Sequence, residues 1–236
     1  MATETSVSVN RSPKIQAYRL GQEKAPLLVV DSFVDHPDHL VSLARDLDFK
    51  PPRMAYPGVR AVAPTSYQEA LLSFVGAMVE PYFGIRPRGL KLSMCHYSLV
   101  TTAPEELSVV QRVPHVDSFS SEELATVHYL FHGNHGGTSF YRHRETGYEV
   151  VNEDRRSHYF GALQREVSGA RQPPAAYING DTELFQRIAS MEGVFNRLLV
   201  YRRNSLHSGN IEEQFVPDPS PDTGRLSING FIDPVF

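Results

Sequence analysis

At Gly89 the patterning of the chain changes, and that change limits its fold more than any other feature. Downstream, Leu90–Val100 (LKLSMCHYSLV) alternates apolar and polar residues, and Ala125–Phe131 does so again around His128 and Tyr129. Alternation at a period of two marks a strand with one buried face. Gly136-Gly137 punctuates, and Thr138–Tyr141, Asn196–Arg203 and Arg225–Ile232 read as further strands. Upstream the period is helical. Asp35 is placed to cap a helix with Pro37 in its first turn and Leu40, Leu43, Ala44 and Leu47 as its apolar stripe. A second helix opens at Thr65 or Ser66, with Glu69 to complete a capping box. It buries Leu71, Leu72, Val75, Met78 and Val79 and ends between Pro81 and Gly84.

Among the remaining segments, Pro26–Phe33 reads as a short strand and Phe49–Pro64 as loop. Asn152–Val167 is polar and undecided, and Thr182–Met191 reads as a short helix capped by Asp181. Helices followed by a run of strands predict an α+β fold, with helices buttressing a β-sandwich or barrel. The 236 residues fit one domain: an arm over 1–13, mostly helical support over 14–89 and a strand core over 90–236.

Composition removes several classes of function. A net charge of -4 with dispersed basic residues gives no footprint for nucleic acid. Cys95 is the single cysteine, which excludes an internal disulfide and suits a reducing compartment. No apolar run reaches the ~20 residues of a membrane span, and the N-terminus lacks a signal layout. The expectation is a cytoplasmic protein. No G-x-S-x-G elbow and no Gly-rich phosphate loop is present, so hydrolase and nucleotide readings find no support.

The chemistry is written in His115-Val116-Asp117, then in His207 within Asn204-Ser205-Leu206-His207-Ser208-Gly209, then in Arg225-Leu226-Ser227. Residues i and i+2 of a strand share a side, so His115 and Asp117 can project together. Alone, His-x-Asp is more often a surface turn. With a distant histidine it becomes two imidazoles and a carboxylate on one face of a metal, the set used by non-haem Fe(II) oxygenases, with positions left open. Arg225 and Ser227 are again i and i+2, and a guanidinium fork with a hydroxyl suits a carboxylate. The plainer alternative for Arg225 is a strand-start arginine reaching to solvent. His128, His132, His135 and His143 match no closed metal site.

These motifs, with the strand Thr126–Leu130 leading to Gly136-Gly137-Thr138-Ser139-Phe140, resemble the Fe(II)/2-oxoglutarate-dependent dioxygenases, nearest their prolyl-hydroxylase-like branch. The resemblance covers roughly 90–236. It implies a double-stranded β-helix (a jelly-roll or cupin-like barrel) buttressed by the N-terminal helices, with iron held by His115, Asp117 and His207. It implies 2-oxoglutarate anchored by Arg225 with Ser227, and Tyr97, or its rival Tyr129, touching that co-substrate. Dioxygen and 2-oxoglutarate would then drive hydroxylation of a small molecule or amino-acid side chain, with release of succinate and CO2. Asp117 disfavours halogenation, which in this superfamily replaces the carboxylate by a small residue.

The gap from His207 to Arg225 is longer than usual and carries Pro217, Pro219 and Pro221, which leaves Arg202 or Arg203 as alternative anchors. In the loop Arg53–Pro64, Tyr56, Arg60 and the Pro57-Gly58 turn suit a lid over a carboxylate-bearing or amino-acid-like substrate; an ordinary surface loop is the plain alternative. Two other functions stay open: a cupin-like metal enzyme that does not use 2-oxoglutarate, and a non-enzymatic binding or sensing barrel.

Overall fold

The computed structural model describes residues 6–52, 56–169 and 172–236. The elements in chain order are β1 (Lys14–Leu20), β2 (Ala25–Asp31), α1 (Pro37–Ala44), β3 (Gly58–Val62), α2 (Thr65–Phe83) and β4 (Gly89–Val100). They continue with β5 (Leu124–Tyr129), β6 (Gly137–His143), α3 (Glu153–Val167), β7 (Phe185–Glu192), β8 (Arg197–Arg202), β9 (His207–Asn210) and β10 (Leu226–Val235).

The strands form two antiparallel sheets. One runs β1-β2-β8-β5-β10-β4-β3, the other β7-β6-β9. Helix α2 buries Tyr67, Leu71, Val75, Val79 and Phe83, a four-residue spacing that presents one continuous stripe. That stripe packs on the outer face of the large sheet together with Leu40 and Ala44 of α1. The inner face meets the small sheet through Leu27, Tyr129, Leu199 and Tyr201 on one side and Phe140, Ile188 and Met191 on the other.

Register decides which side chains face inward. Ala61, Tyr97, Ile228, His128 and Leu198 are directly paired across five strands and point to the helices. The adjacent rung, Arg60, Ser98, Ser227 and Tyr129, therefore points inward.

Several expectations need correction. The stretch 14–89 is not mostly helical, because β1, β2 and β3 lie in it. β1 was missed because it is an edge strand with only Leu20 buried. β3 lies where loop was expected, held by pairing to β4 rather than by apolar alternation. Thr182–Met191 is not a helix: β7 pairs along β6, so a tertiary partner overrides local preference. Asp181 instead accepts the Arg187 N–H at 2.8 Å.

The undecided 152–167 stretch is α3, capped by the Asn152 side chain accepting from the Arg155 N–H. Asp35 does not cap α1, whose N-cap is His36, and α2 starts after Pro64 with no side-chain cap. Of the arm, residues 1–5 lie outside the described residues, and Val9 pairs with Val34. Of the expected lid, residues 53–55 lie outside them too. Among the described residues no helix is long and apolar enough to cross a membrane.

Candidate metal centre

His115 and His207 are brought together by backbone. Each N–H donates to the other's carbonyl, at 2.9 and 3.0 Å, forming an isolated antiparallel bridge. The Asp117 N–H donates to the Arg203 carbonyl at 2.8 Å, which carries the carboxylate toward the same point. His115 and Asp117 thus do not sit on a regular strand, as expected, but on a loop stitched to residues 203–207. His207 is the first residue of β9.

The side chains converge. Asp117 Oδ1 lies 3.6 Å from His115 Nε2 and Oδ2 lies 3.5 Å from His207 Nε2. These separations are too long for hydrogen bonds, and one ligand atom from each residue lies within 4.8 Å of the others. It is the only such group of three or more His, Cys, Asp or Glu side chains among the described residues.

His207 Nδ1 is 2.9 Å from the Ser205 carbonyl. A carbonyl only accepts, so Nδ1 carries the proton and Nε2 offers its lone pair to the shared point, the arrangement a metal-binding histidine requires. The His207 ring is walled by Tyr201 at 4.8 Å and Phe140 at 6.3 Å.

The His115 side chain is 53% exposed and stands at the mouth, while Asp117 and His207 are 14% and 7% exposed. Partial burial of the His115 ring, and then the neighbouring His207, lower its pKa against the opposing pull of Asp117. The imidazole is therefore neutral near pH 7, the form that binds metal. Two imidazole nitrogens and one carboxylate oxygen fit a divalent ion such as iron.

The triad lies in the wall of a cavity of about 350 Å³. Arg225, Ser227, Asn229 and Phe231 line it together, an i, i+2 row continued along β10. Arg225 is buried; its Nε donates to the His135 carbonyl at 2.8 Å and its Nη2 to the Gly137 carbonyl at 2.7 Å. The Ser227 hydroxyl donates to Asn229 Oδ1 at 3.0 Å. Tyr56 and Arg60 also line the cavity, with the Arg60 guanidinium 4.2 Å above the Tyr56 ring.

Tyr97 is not there. Its register turns it to the helices, where its hydroxyl donates to the Leu40 carbonyl at 2.8 Å. Tyr129 faces inward, its hydroxyl 2.7 Å from that of Thr138, which lines the cavity. The alternative anchors are engaged elsewhere: Arg202 Nη2 donates to the Phe83 carbonyl, and Arg203 pairs with Glu123 and Asp233.

Sequence reasoning missed Asn229 and Phe231, which the period-two rule extended past Ser227 would have found. It also missed Tyr177, brought to the cavity by a loop, and Gln111, on a short 3-10 turn, neither of which carries such periodicity.

The model of DUF6445, described as a family of unknown function, matches residues 11–232. No curated protein matches the chain. Among solved structures, HygX from Streptomyces hygroscopicus with nickel and 2-oxoglutarate bound is 14% identical, with a TM-score of 0.49 over 89% of this chain and 83% of that one. The same protein with hygromycin B also bound gives 12% identity and a TM-score of 0.49 over the same shares. The non-heme alpha ketoglutarate dependent epimerase SnoN from nogalamycin biosynthesis gives 14%, with 0.48 over 91% of this chain and 78% of that one. At this level of likeness, what the site does must be read from its own side chains.

Proposed function

The chain belongs to the DUF6445 family, and for it we propose a non-haem Fe(II)/2-oxoglutarate-dependent oxygenase on a double-stranded β-helix. It would hydroxylate a small molecule or amino-acid side chain, with release of succinate and CO2. The observation that carries this reading is the convergence of His115, Asp117 and His207 on one point in a cavity wall, with no fourth protein ligand among the described residues. Three ligands on one side leave room for exogenous ones, whereas closed four-ligand sets are structural.

Ferrous iron, when bound, supplies activation of dioxygen with 2-oxoglutarate as the reductant. This chain's residues hold and orient. Asp117 contributes the single negative charge of the set. The Ser205 carbonyl fixes the His207 tautomer, and Tyr201 and Phe140 keep water from its inner edge.

Arg225 is the anchor for the far carboxylate of 2-oxoglutarate. With Nε and Nη2 committed to backbone carbonyls, its fork is locked, and Nη1 has no partner among the described residues. Ser227, one strand period along, lines the same cavity, and its hydroxyl would turn from Asn229 Oδ1 to the co-substrate. A locked donor loses little side-chain freedom on binding.

The test is succinate formation from 2-oxoglutarate by the purified protein with Fe(II), compared with His207→Ala. Iron-dependent succinate that vanishes in the variant is expected. No turnover in any condition, together with no Fe(II)-dependent thermal shift, would discard the reading in favour of a binding module. Iron binding and substrate oxidation that do not need 2-oxoglutarate would instead select a cupin-like enzyme.

A further inference from the structure

Two guanidinium groups face the cavity, and they are used in opposite ways. Arg225 spends Nε and Nη2 on backbone. In Arg60, Nη1 meets only the Met94 thioether, at 3.2 Å. Its Nε is buried without a hydrogen-bond partner, and Nη2 has none among the described residues. The edge made by Nε and Nη2 is the one with which this protein grips carboxylates elsewhere. Arg197 holds Asp31 through Nε at 2.5 Å and Nη2 at 3.1 Å, and Arg45 holds Asp222 through Nε at 2.9 Å and Nη2 at 2.7 Å. A buried charged donor with no acceptor is costly, and native structures rarely retain one without a ligand, water or ion to meet it.

Arg60 is also held in place. β3 pairs it with Ser98 of β4, and its guanidinium lies on the Tyr56 ring. The Tyr56 hydroxyl is buried as well and makes no hydrogen bond. Arg60 lines the same cavity as Asp117 and His115.

Charge points the same way. The formally charged side chains lining the cavity, among the described residues, are Arg60, Arg225 and Asp117, a net excess of one positive charge. On the reading above, a divalent ion and doubly negative 2-oxoglutarate cancel each other and leave that excess unmatched.

We propose that the Arg60–Tyr56 pair anchors a carboxylate of the primary substrate, which is a small monocarboxylic acid bound as its anion with the carbon to be oxidised turned toward the triad. This deepens the oxygenase reading and rests on it. The carboxylate receives a side-on pair from Nε and Nη2 and a third hydrogen bond from the Tyr56 hydroxyl. A dianionic phosphate ester overshoots the single unmatched charge. The cavity of about 350 Å³ must also admit the co-substrate, which keeps the acid small.

The experiment follows binding rather than turnover. Protein loaded with Ni(II) and 2-oxoglutarate is titrated by thermal shift with a panel of N-acetyl amino acids and their matched carboxamides. Acids in the panel raise Tm and their amides do not. Arg60→Met weakens those acids by about tenfold or more while 2-oxoglutarate affinity stays within about twofold; Arg60→Lys, which keeps charge but lacks the side-on edge, recovers only part. Should Arg60→Met lower the unliganded Tm, Arg60→Gln and Tyr56→Phe replace it.

Two results overturn the proposal: no acid outperforming its amide, or Arg60→Met weakening 2-oxoglutarate as much as the acids, which would assign Arg60 to the co-substrate. The same titration without 2-oxoglutarate separates the two ideas. Failure of wild type to bind 2-oxoglutarate sinks the oxygenase reading, while an acid preference that depends on Arg60 keeps the carboxylate site.

Discussion

His115 and His207 exchange both of their backbone hydrogen bonds, so their imidazoles stand as cross-strand neighbours with ring centroids 4.4 Å apart. The two candidate ligands are thus positioned by the peptide backbone, and their spacing does not depend on a bound ion.

Removing a ligand should therefore cost metal rather than fold. In wild type, Ni(II) at a hundred times its dissociation constant stabilises by about 2.7 kcal/mol. Asp117→Ala and His207→Ala should lose that increment while their metal-free melting stays close to wild type. Calorimetry with Ni(II) and with a chelator measures both quantities. A variant that keeps the full increment would remove its residue from the centre.

Arg225→Gln should act twice. It withdraws two buried charge-assisted hydrogen bonds, to His135 and Gly137, at a cost of about 2–4 kcal/mol of stability. On the proposed reading it should also raise the 2-oxoglutarate KM by about tenfold or more, with a smaller change in kcat, because an anchor at Arg225 would be remote from the reacting atoms. Steady-state succinate assays over a 2-oxoglutarate series test this, and an unchanged KM would place the anchor elsewhere.

Gly137 permits an approach no other residue tolerates. A Cβ there would sit 1.9 Å from the Met191 carbonyl oxygen, on the strand that pairs with β6. Gly137→Ala should destabilise by about 3 kcal/mol or more, as forced backbone displacement does. Chemical denaturation measures it, and a loss under about 1 kcal/mol would contradict the packing.

His128 gives the fold a pH dependence. Its ring is fully buried, stacked on Tyr67 with centroids 5.7 Å apart, and burial lowers its pKa from 6.5 to about 4, partly offset by the Asn196 side chain. The folded protein keeps this ring neutral while the unfolded chain protonates it below pH 6.5. Stability falls as pH drops from 6.5 toward 4, by up to about 3 kcal/mol, and levels off below that. Urea titrations of wild type and His128→Gln across that window should differ in slope, and equal slopes would acquit His128.

Much of the centre was legible because a strand's period of two is strict. Arg225-x-Ser227 names side chains on one face wherever the strand ends up, and His115-x-Asp117 names two groups that converge even without a regular strand. The same period could not say which face is inner. Tyr97 and Ser98 are neighbours in sequence, yet one turns to the helices and the other faces inward, a matter of pairing with Ile228 and Ser227. The helical expectation over 182–191 failed for a related reason: β7 pairs along one edge of β6, and that pairing outweighs local preference.

The sequence by itself determined the candidate ligand types, the alternation of the core strands and the stripe of α2, because residue type and local period are written along the chain itself. Only the tertiary structure decided that Arg60 shares a cavity with Asp117, that Arg225 is clamped by carbonyls near a glycine turn, and that Tyr97 lies on the far side of the sheet. Those relations are set by strand register and sheet packing, which bring together residues far apart in sequence, and no local pattern encodes them.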